Sequence, residues 1–404
     1  MKQTLLRTQI ALLCLVAGCV APSPAAGASP KWTLGAPIVT YWAGPADMMP
    51  LDDRAAAQIA AGGWNLGWAR NVTDLDIYRR HGLRALLVIG VPDLDSPAAA
   101  KALDATIEQV RHHPALYAYH LVDEPGASAF PKLGRLTAYL RQRDPGHLAY
   151  INLFPTYATN EQLGTRGDTV PAYRDYLRQF VEVVKPGLIS YDHYHFMKSS
   201  DGDQYFLNLA LIREASLAAG LPFLNIIQAC DSPSEGWRGP GQHEIRWLMY
   251  TSLAYGAQGI SHFRYDTGLC KDADTPNALY WPVTRLNRDF FSIARELHAL
   301  KSLGAYHCGK VPYGALPLPK DSRFAPEVLP QEILLGYFGK SARRPSHLVV
   351  VNLDYKNAVT TTLAGPGPMQ LFHAPTQVWR GDSKERRLKL ELPPGGGALV
   401  RLRP

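Results

Sequence analysis

From residue 37 to about residue 300, short apolar runs rich in Val, Ile, Leu and Tyr alternate with longer stretches whose apolar positions recur every three or four residues. These are the periods of buried strands and of amphipathic helices. They predict strands at Pro37–Tyr41, Trp64–Ala69, Leu83–Gly90, Leu116–Leu121, Leu148–Leu153, Gly187–Tyr191, Pro222–Ile227 and Gly259–Phe263. Helices are predicted between them near 52–61, 74–81, 97–112, 133–141, 172–184, 205–219 and 243–255, and after the last strand near 283–300. Strand-helix units repeated eight times in one run predict a (β/α)8 barrel of about 250 residues; a doubly wound sheet is the alternative.

From about Ala305 the pattern changes to short alternating strands with no helical stretch between them, at 332–337, 347–354, 358–363, 369–372, 377–379, 388–392 and 398–402. This predicts an antiparallel β-sandwich appended to the barrel. The expected organisation is a leader at 1–19, a flexible tether at 20–34, the barrel at 35–303 and the sandwich at 304–404. The bland role for the sandwich is packing against the barrel; the alternative is independent sugar binding.

Composition adds little to the fold and more to the setting. Hydrophobic residues make up 46% and charged residues 19% of the 404, which describes an ordinary globular chain. The formal net charge is +7, but the basic residues are scattered, with no stripe interleaved with aromatics, so nucleic acid is not an expected partner. At the start, Lys2 and Arg7 precede an apolar run from Ile10 to Ala17, the layout of a secretory signal. The ending Leu15-Val16-Ala17-Gly18-Cys19 resembles a bacterial lipobox. That resemblance implies lipidation at Cys19 and a home at the outer membrane or in the periplasm; ordinary cleavage near Ala26 is the alternative. With Cys14 and Cys19 in the leader, Cys230, Cys270 and Cys308 remain. Cys230 and Cys270 follow neighbouring strands, and export makes a disulfide between them plausible. The cysteine spacing matches no zinc motif, no cofactor is expected, and the oligomeric state is left open.

Candidate chemistry collects at the strand ends. The fourth strand, ALYAYHLV, stops at Asp123-Glu124-Pro125-Gly126, and two adjacent carboxylates are costly at the end of a buried strand unless they have a task. Barrel chemistry sits at the C-terminal strand ends, so Glu124 is read as a proton donor with Asp123 beside it. The plain alternative is that one of these acids caps the following helix. The other ends contribute Trp42, Trp68 with Arg70-Asn71, Asn152, Asp192-His193-Tyr194-His195, Gln228 with Asp231, and Arg264 with Asp266. Loops add Tyr157, Trp237 and Trp281. Aromatic platforms among amide, acid and guanidinium groups suit a carbohydrate, whose apolar faces stack on rings while its hydroxyls need donors and acceptors. Trp42, Trp68, Asn152, His193, Tyr194, Gln228, Trp237, Arg264 and Asp266 are the candidate substrate contacts.

The acid-Glu-Pro ending of the fourth strand resembles the (β/α)8 glycoside hydrolases of clan A, whose Asn-Glu-Pro at this place carries the general acid/base. The resemblance covers roughly Pro37 to Leu300 and implies that Glu124 is the acid/base of a glycosidase. Two departures stand out: position 123 is Asp instead of Asn, and the seventh strand ends at Gln228 where that clan has a nucleophilic Glu, with Asp231 and Glu235 only further on. Three mechanisms stay open. In the first, Asp192 is the nucleophile or stabiliser of a retaining reaction, with carboxyls about 5 Å apart. Asp192 or Asp231 can instead activate water across about 6.5–9.5 Å, giving inversion. In the third, Asp123-Glu124 resembles the Asp-Glu pair of substrate-assisted β-N-acetylhexosaminidases. Two other classes compete: a barrel metalloenzyme using His193, His195, His262 and Asp266, and a non-catalytic carbohydrate-binding lipoprotein, for which Glu124 would be dispensable.

Overall fold

The structure is a computed structural model that describes residues 31–44, 48–271, 275–327, 332–341, 344–381 and 386–403. The export signal, Cys14, Cys19 and the tether up to residue 30 lie outside the described residues. Among the described residues no helix is long and apolar enough to cross a membrane.

The alternation read from the sequence builds a parallel barrel. Its strands are β1 (Ile38–Tyr41), β2 (Leu66–Ala69), β3 (Arg84–Val88), β4 (Leu116–Asp123), β5 (Leu148–Leu153), β6 (Ile189–His193), β7 (Phe223–Gln228) and β8 (Gly259–Phe263). Pairing runs β1-β8-β7-β6-β5-β4-β3-β2, every pair parallel. The remaining seam, between β1 and β2, is closed largely by side chains. Asn65 takes a hydrogen bond from the Val39 N–H at 2.9 Å, Thr40 Oγ1 donates to the Leu66 carbonyl at 3.0 Å, and Trp68 Nε1 donates to the Tyr41 carbonyl at 2.6 Å.

The helices are α1 (Asp53–Ala61), α2 (Val72–Arg80), α3 (Pro97–Val110), α4 (Phe130–Arg143), a one-turn α5 (Asn160–Leu163), α6 (Thr169–Gln179), α7 (Tyr205–Ala219), α8 (Gln242–Tyr255) and α9 (Tyr280–Leu297). Several starts show their cause locally: Asp52, Asn71 and Ser96 each accept from a backbone N–H of the first turn. Asn71 is therefore a cap, and its neighbour Arg70 donates to the Met49 carbonyl.

Beyond α9 comes a strand absent from the sequence prediction, β9 (Lys301–Cys308). The rest are β10 (Leu316–Pro317), β11 (Ala325–Pro326), β12 (Ile333–Gly339), β13 (His347–Asn352), β14 (Val359–Ala364), β15 (Met369–His373), β16 (Val378–Arg380), β17 (Arg387–Leu392) and β18 (Gly397–Leu402). A larger sheet, β10-β9-β12-β13-β18-β15-β16, lies over a small one, β11-β14-β17. Strand alternation divides the larger sheet between two cores. Leu334, Phe338, Val349, Val351 and Leu399 join the apolar cluster of the barrel. Their neighbours Ile333, Leu335, Leu348, Val350 and Val400 pack with Val359, Leu363, Leu390 and Leu392 of the small sheet. The sandwich meets the barrel along α8: a Cβ on Gly336 would lie 2.3 Å from the Ala254 carbonyl oxygen, so the sheet backbone itself touches the helix.

Candidate active site

Two local irregularities turn the end of β4 into a site. The β4–β5 register shifts between His120 and Val122, and Glu124 has φ of 45°, the left-handed region that side chains other than Gly rarely adopt. Regular alternation would send Asp123 and Glu124 to opposite faces; the turn at Glu124 brings its carboxyl into the cavity beside Asp192, while Asp123 stays within reach of Asn152. Such a conformation costs about 1–3 kcal/mol and is held here by neighbours. The Glu124 N–H donates to the Asn152 carbonyl at 3.0 Å, and Tyr176 OH donates to the Pro125 carbonyl at 2.8 Å. A Cβ on Gly126 would lie 2.6 Å from the Gln162 carbonyl oxygen, so only glycine lets this turn sit against α5. Neither acid caps a helix: the short turn at Ala127–Ala129 and α4 both start without a side-chain cap.

The carboxyls form one network. Asp192 of β6 is 3% exposed and hydrogen-bonds Glu124 directly. Asn152 Nδ2 donates both to Asp123 Oδ1 at 3.0 Å and to Asp192 Oδ1 at 2.9 Å. Burial pushes the Glu124 carboxyl up to about 9, and the charges of Asp192 and Asp123 add to the effect. Burial also raises Asp192, to about 7, with Asp123 contributing, while hydrogen bonds from Asn152 and Glu124 favour its charged form. The pair therefore keeps a proton at neutral pH, and Glu124 holds it more tightly.

Glu124 and Asp192 of this network line a cavity of about 620 Å3. Tyr194, Trp237 and Phe263 form one wall, with ring centroids 4.3 Å apart for Tyr194 and Trp237 and 4.8 Å for Tyr194 and Phe263. Phe154, Tyr157, Gln162, Asp231, Glu235 and Thr267 line the cavity as well, and Tyr157 OH accepts from the Tyr194 N–H at 3.4 Å. Arg264 also lines the cavity, its guanidinium paired bidentately with Asp266, which is not part of the lining.

Several candidate contacts have other duties. Trp42 and Trp68 are buried edge to face at 5.0 Å, and both also pack against His120. They fill the barrel interior and do not line the cavity. Gln228 is fully enclosed: its Oε1 accepts from the Phe196 N–H at 2.8 Å, and its Nε2 donates to the Phe196 and Arg238 carbonyls at 3.0 and 2.9 Å. It fastens the loop after β7 and has nothing left for a ligand. His193 follows Asp192 on the strand and so faces the helices, where its Nδ1 meets Asn208 Oδ1 at 2.9 Å. His195 stacks on Trp247 at 5.0 Å, and His262 Nδ1 lies 3.1 Å from the Thr40 carbonyl oxygen. Among the described residues no group of three or more His, Cys, Asp or Glu converges as a metal site. The expected disulfide does not form: Cys230 and Cys270 are both buried thiols that are not bonded to one another. Cys230 lines the cavity, whereas Cys270 turns to Tyr265 and accepts from Gln58 Nε2 at 3.7 Å. Trp281 is 61% exposed on α9, away from the cavity. Phe154 and Gln162 were absent from the candidates, although Phe154 directly follows the fifth strand.

Fold and site together define a (β/α)8 barrel with a C-terminal β-sandwich and a carboxyl-floored, aromatic-walled cavity at the strand ends. No protein-family model matches the chain, and no curated protein matches it. Among solved structures it is similar to alpha-galactosidase I from Mortierella vinacea, at 10% identity over 90% of this chain and 96% of that one, with a TM-score of 0.49. It is also similar to a GH99 endo-alpha-mannosidase from Bacteroides thetaiotaomicron (13% identity, 60% of this chain and 85% of that one, TM-score 0.42). A third is the GH128 subgroup II endo-beta-1,3-glucanase from Sorangium cellulosum (14% identity, 61% and 97%, TM-score 0.41). Likenesses at this level carry no argument about activity; the barrel stands on its own strand pairing.

Proposed function

We propose that this chain is a glycoside hydrolase in which Glu124 is the general acid/base. One observation carries the reading: a half-buried Glu that retains its proton at neutral pH, hydrogen-bonded to a buried Asp at the floor of an aromatic-walled cavity. A carboxyl with a raised pKa beside a second one that ionises first is the division of labour glycoside cleavage needs. Glu124 gives its proton to the leaving oxygen while the Asp192 carboxylate attacks or stabilises the sugar carbon, and Glu124 then takes a proton from the incoming water. The contact between Glu124 and Asp192 is nearer to the carboxyl separation of about 5 Å in a retaining pair than to the about 6.5–9.5 Å by which an inverting pair admits water. The Trp237 ring, tilted 46° to Tyr194, offers an apolar face that a sugar ring can cover.

A second reading has its own support. Gln228 at the end of β7 is bound to backbone and supplies no nucleophile. A sugar that brings its own 2-acetamido nucleophile, steered by Asp123 or Asp192, needs no further carboxylate. Turnover of a panel of nitrophenyl glycosides that includes N-acetylhexosaminides separates the two. Preference for an N-acetylated sugar selects substrate assistance, and a covalent glycosyl adduct on Asp192 selects the first reading. Failure to cleave any member of a broad panel, with glycan binding intact, would leave a carbohydrate-binding protein. We also propose, from Lys2 to Cys19 alone, that the chain is exported and lipid-anchored; palmitate labelling that persists in Cys19→Ser would refute this.

A further inference from the structure

Asn152 touches all three acids at once. Its backbone carbonyl holds the Glu124 N–H at 3.0 Å, and its side-chain amide spans Asp123 and Asp192 at 3.0 and 2.9 Å. It is itself 2% exposed, so these are its partners and not water. The amide cannot turn over. Ser190 Oγ donates to Asn152 Oδ1 at 3.0 Å, and since a hydroxyl has one hydrogen, the 2.8 Å contact between Tyr150 OH and Ser190 Oγ must be donated by the tyrosine. A flipped amide would set its oxygen against two carboxylates. The chain Tyr150, Ser190, Asn152 therefore has one consistent direction of donation, and it ends with both Nδ2 hydrogens spent on two different carboxylates.

We propose that Asn152 is the positioning residue that places the catalytic proton: by donating to Asp123 and Asp192 it keeps both as acceptors, so the proton shared with Asp192 resides on Glu124. This deepens the glycosidase reading and rests on it for the role of Glu124, but the proton's location is a property of the free protein. It also replaces the expectation that Asn152 contacts sugar. The buried Asp192 carboxylate needs compensating donors, and Asn152 supplies one to it and one to the exposed Asp123 without adding a charge. The other titratable or charged groups lining the cavity are Tyr157, Tyr194, Cys230, Asp231, Glu235 and Arg264, the last paired with Asp266, and Tyr150 and Tyr173 also act on Asp192. The four tyrosines are all held above their ordinary range by burial and stay neutral through the working pH.

The test is carboxyl titration by 13C NMR of the full-length protein, wild type against Asn152→Ala and Ser190→Ala, with no ligand present. Loss of one charge-assisted donor moves the Asp192 midpoint up by about one pH unit in N152A. S190A, which leaves the amide in place but free to turn, moves it in the same direction by less, and stands in if N152A does not fold. Unmoved midpoints in both variants would overturn the proposal whether or not the protein cleaves glycosides. With the nitrophenyl glycoside that wild type turns over best, the acid limb of kcat should shift upward by the same amount with KM nearly constant. A raised KM on an unshifted pH profile would instead make Asn152 a substrate contact. If wild type cleaves no glycoside, the glycosidase role of Glu124 fails, while the titration still decides the role of Asn152.

Discussion

Replacing Glu124 by Gln removes a buried carboxyl while keeping its volume, and its effect on stability can be worked out without a substrate. In the fold, Glu124 keeps its proton to about pH 9, and Asp192 ionises near 7. In the unfolded chain both ionise near pH 4. A carboxyl whose folded pKa is raised binds a proton in the fold that the unfolded chain has released, so stability falls as pH rises from about 4.5 to about 9 and is level beyond. One proton corresponds to a slope of about 1.4 kcal/mol per pH unit. Glu124 is only half-buried, and solvent screening through the mouth cuts this to roughly 0.7 kcal/mol per unit. Between pH 7 and 9, while Asp192 completes its ionisation in both proteins, wild type should lose about 1.4 kcal/mol more than E124Q does. Urea denaturation followed by Trp fluorescence at pH 7, 8 and 9 reads the difference. Parallel pH dependence in the two proteins would refute the placement of the proton on Glu124.

Trp237→Ala removes one of the three rings of the aromatic wall and should raise KM about tenfold, equivalent to about 1.4 kcal/mol, with little loss of stability; Trp42→Ala, inside the barrel, should instead destabilise by about 3–5 kcal/mol in chemical denaturation. Gln228→Leu strips partners from three backbone groups and should lower stability by about 3 kcal/mol, with the loop after β7 becoming protease-sensitive; a stable variant with only weakened substrate binding would return Gln228 to the substrate contacts. Tyr355 of the sandwich donates to Asp201 Oδ2, and Asp201 pairs with Arg238 next to Trp237. Tyr355→Phe should cost about 1 kcal/mol of stability and raise KM without changing kcat in steady-state kinetics, which makes the sandwich a support for the cavity wall.

The barrel was legible because buried parallel strands and amphipathic helices leave opposite periodicities, and their order alone places Glu124 at the fourth strand end. β9 was not: Lys301-Ser302-Leu303-Gly304 follows directly on the apolar face of α9, so helix and strand merge into one run. In the site, strand alternation decides more than proximity to a strand end does. Asp192 points into the barrel and His193 away from it, a distinction the period of two already contains. The direction of Glu124 could not be read this way, since it depends on a left-handed turn at a residue that does not advertise one. The fates of Trp42, Trp68 and Gln228 depend on long-range partners, His120 for the rings and Phe196 and Arg238 for the amide, and no local pattern announces those.

The central claim is that Glu124 protonates the leaving oxygen, and leaving-group dependence tests it most directly. With E124Q, kcat/KM on an aryl glycoside whose phenol needs protonation should fall by about 10²–10⁴, while cleavage of the matching dinitrophenyl glycoside, whose phenolate leaves unaided, falls far less. Equal losses on both substrates, or no loss on either, would contradict it.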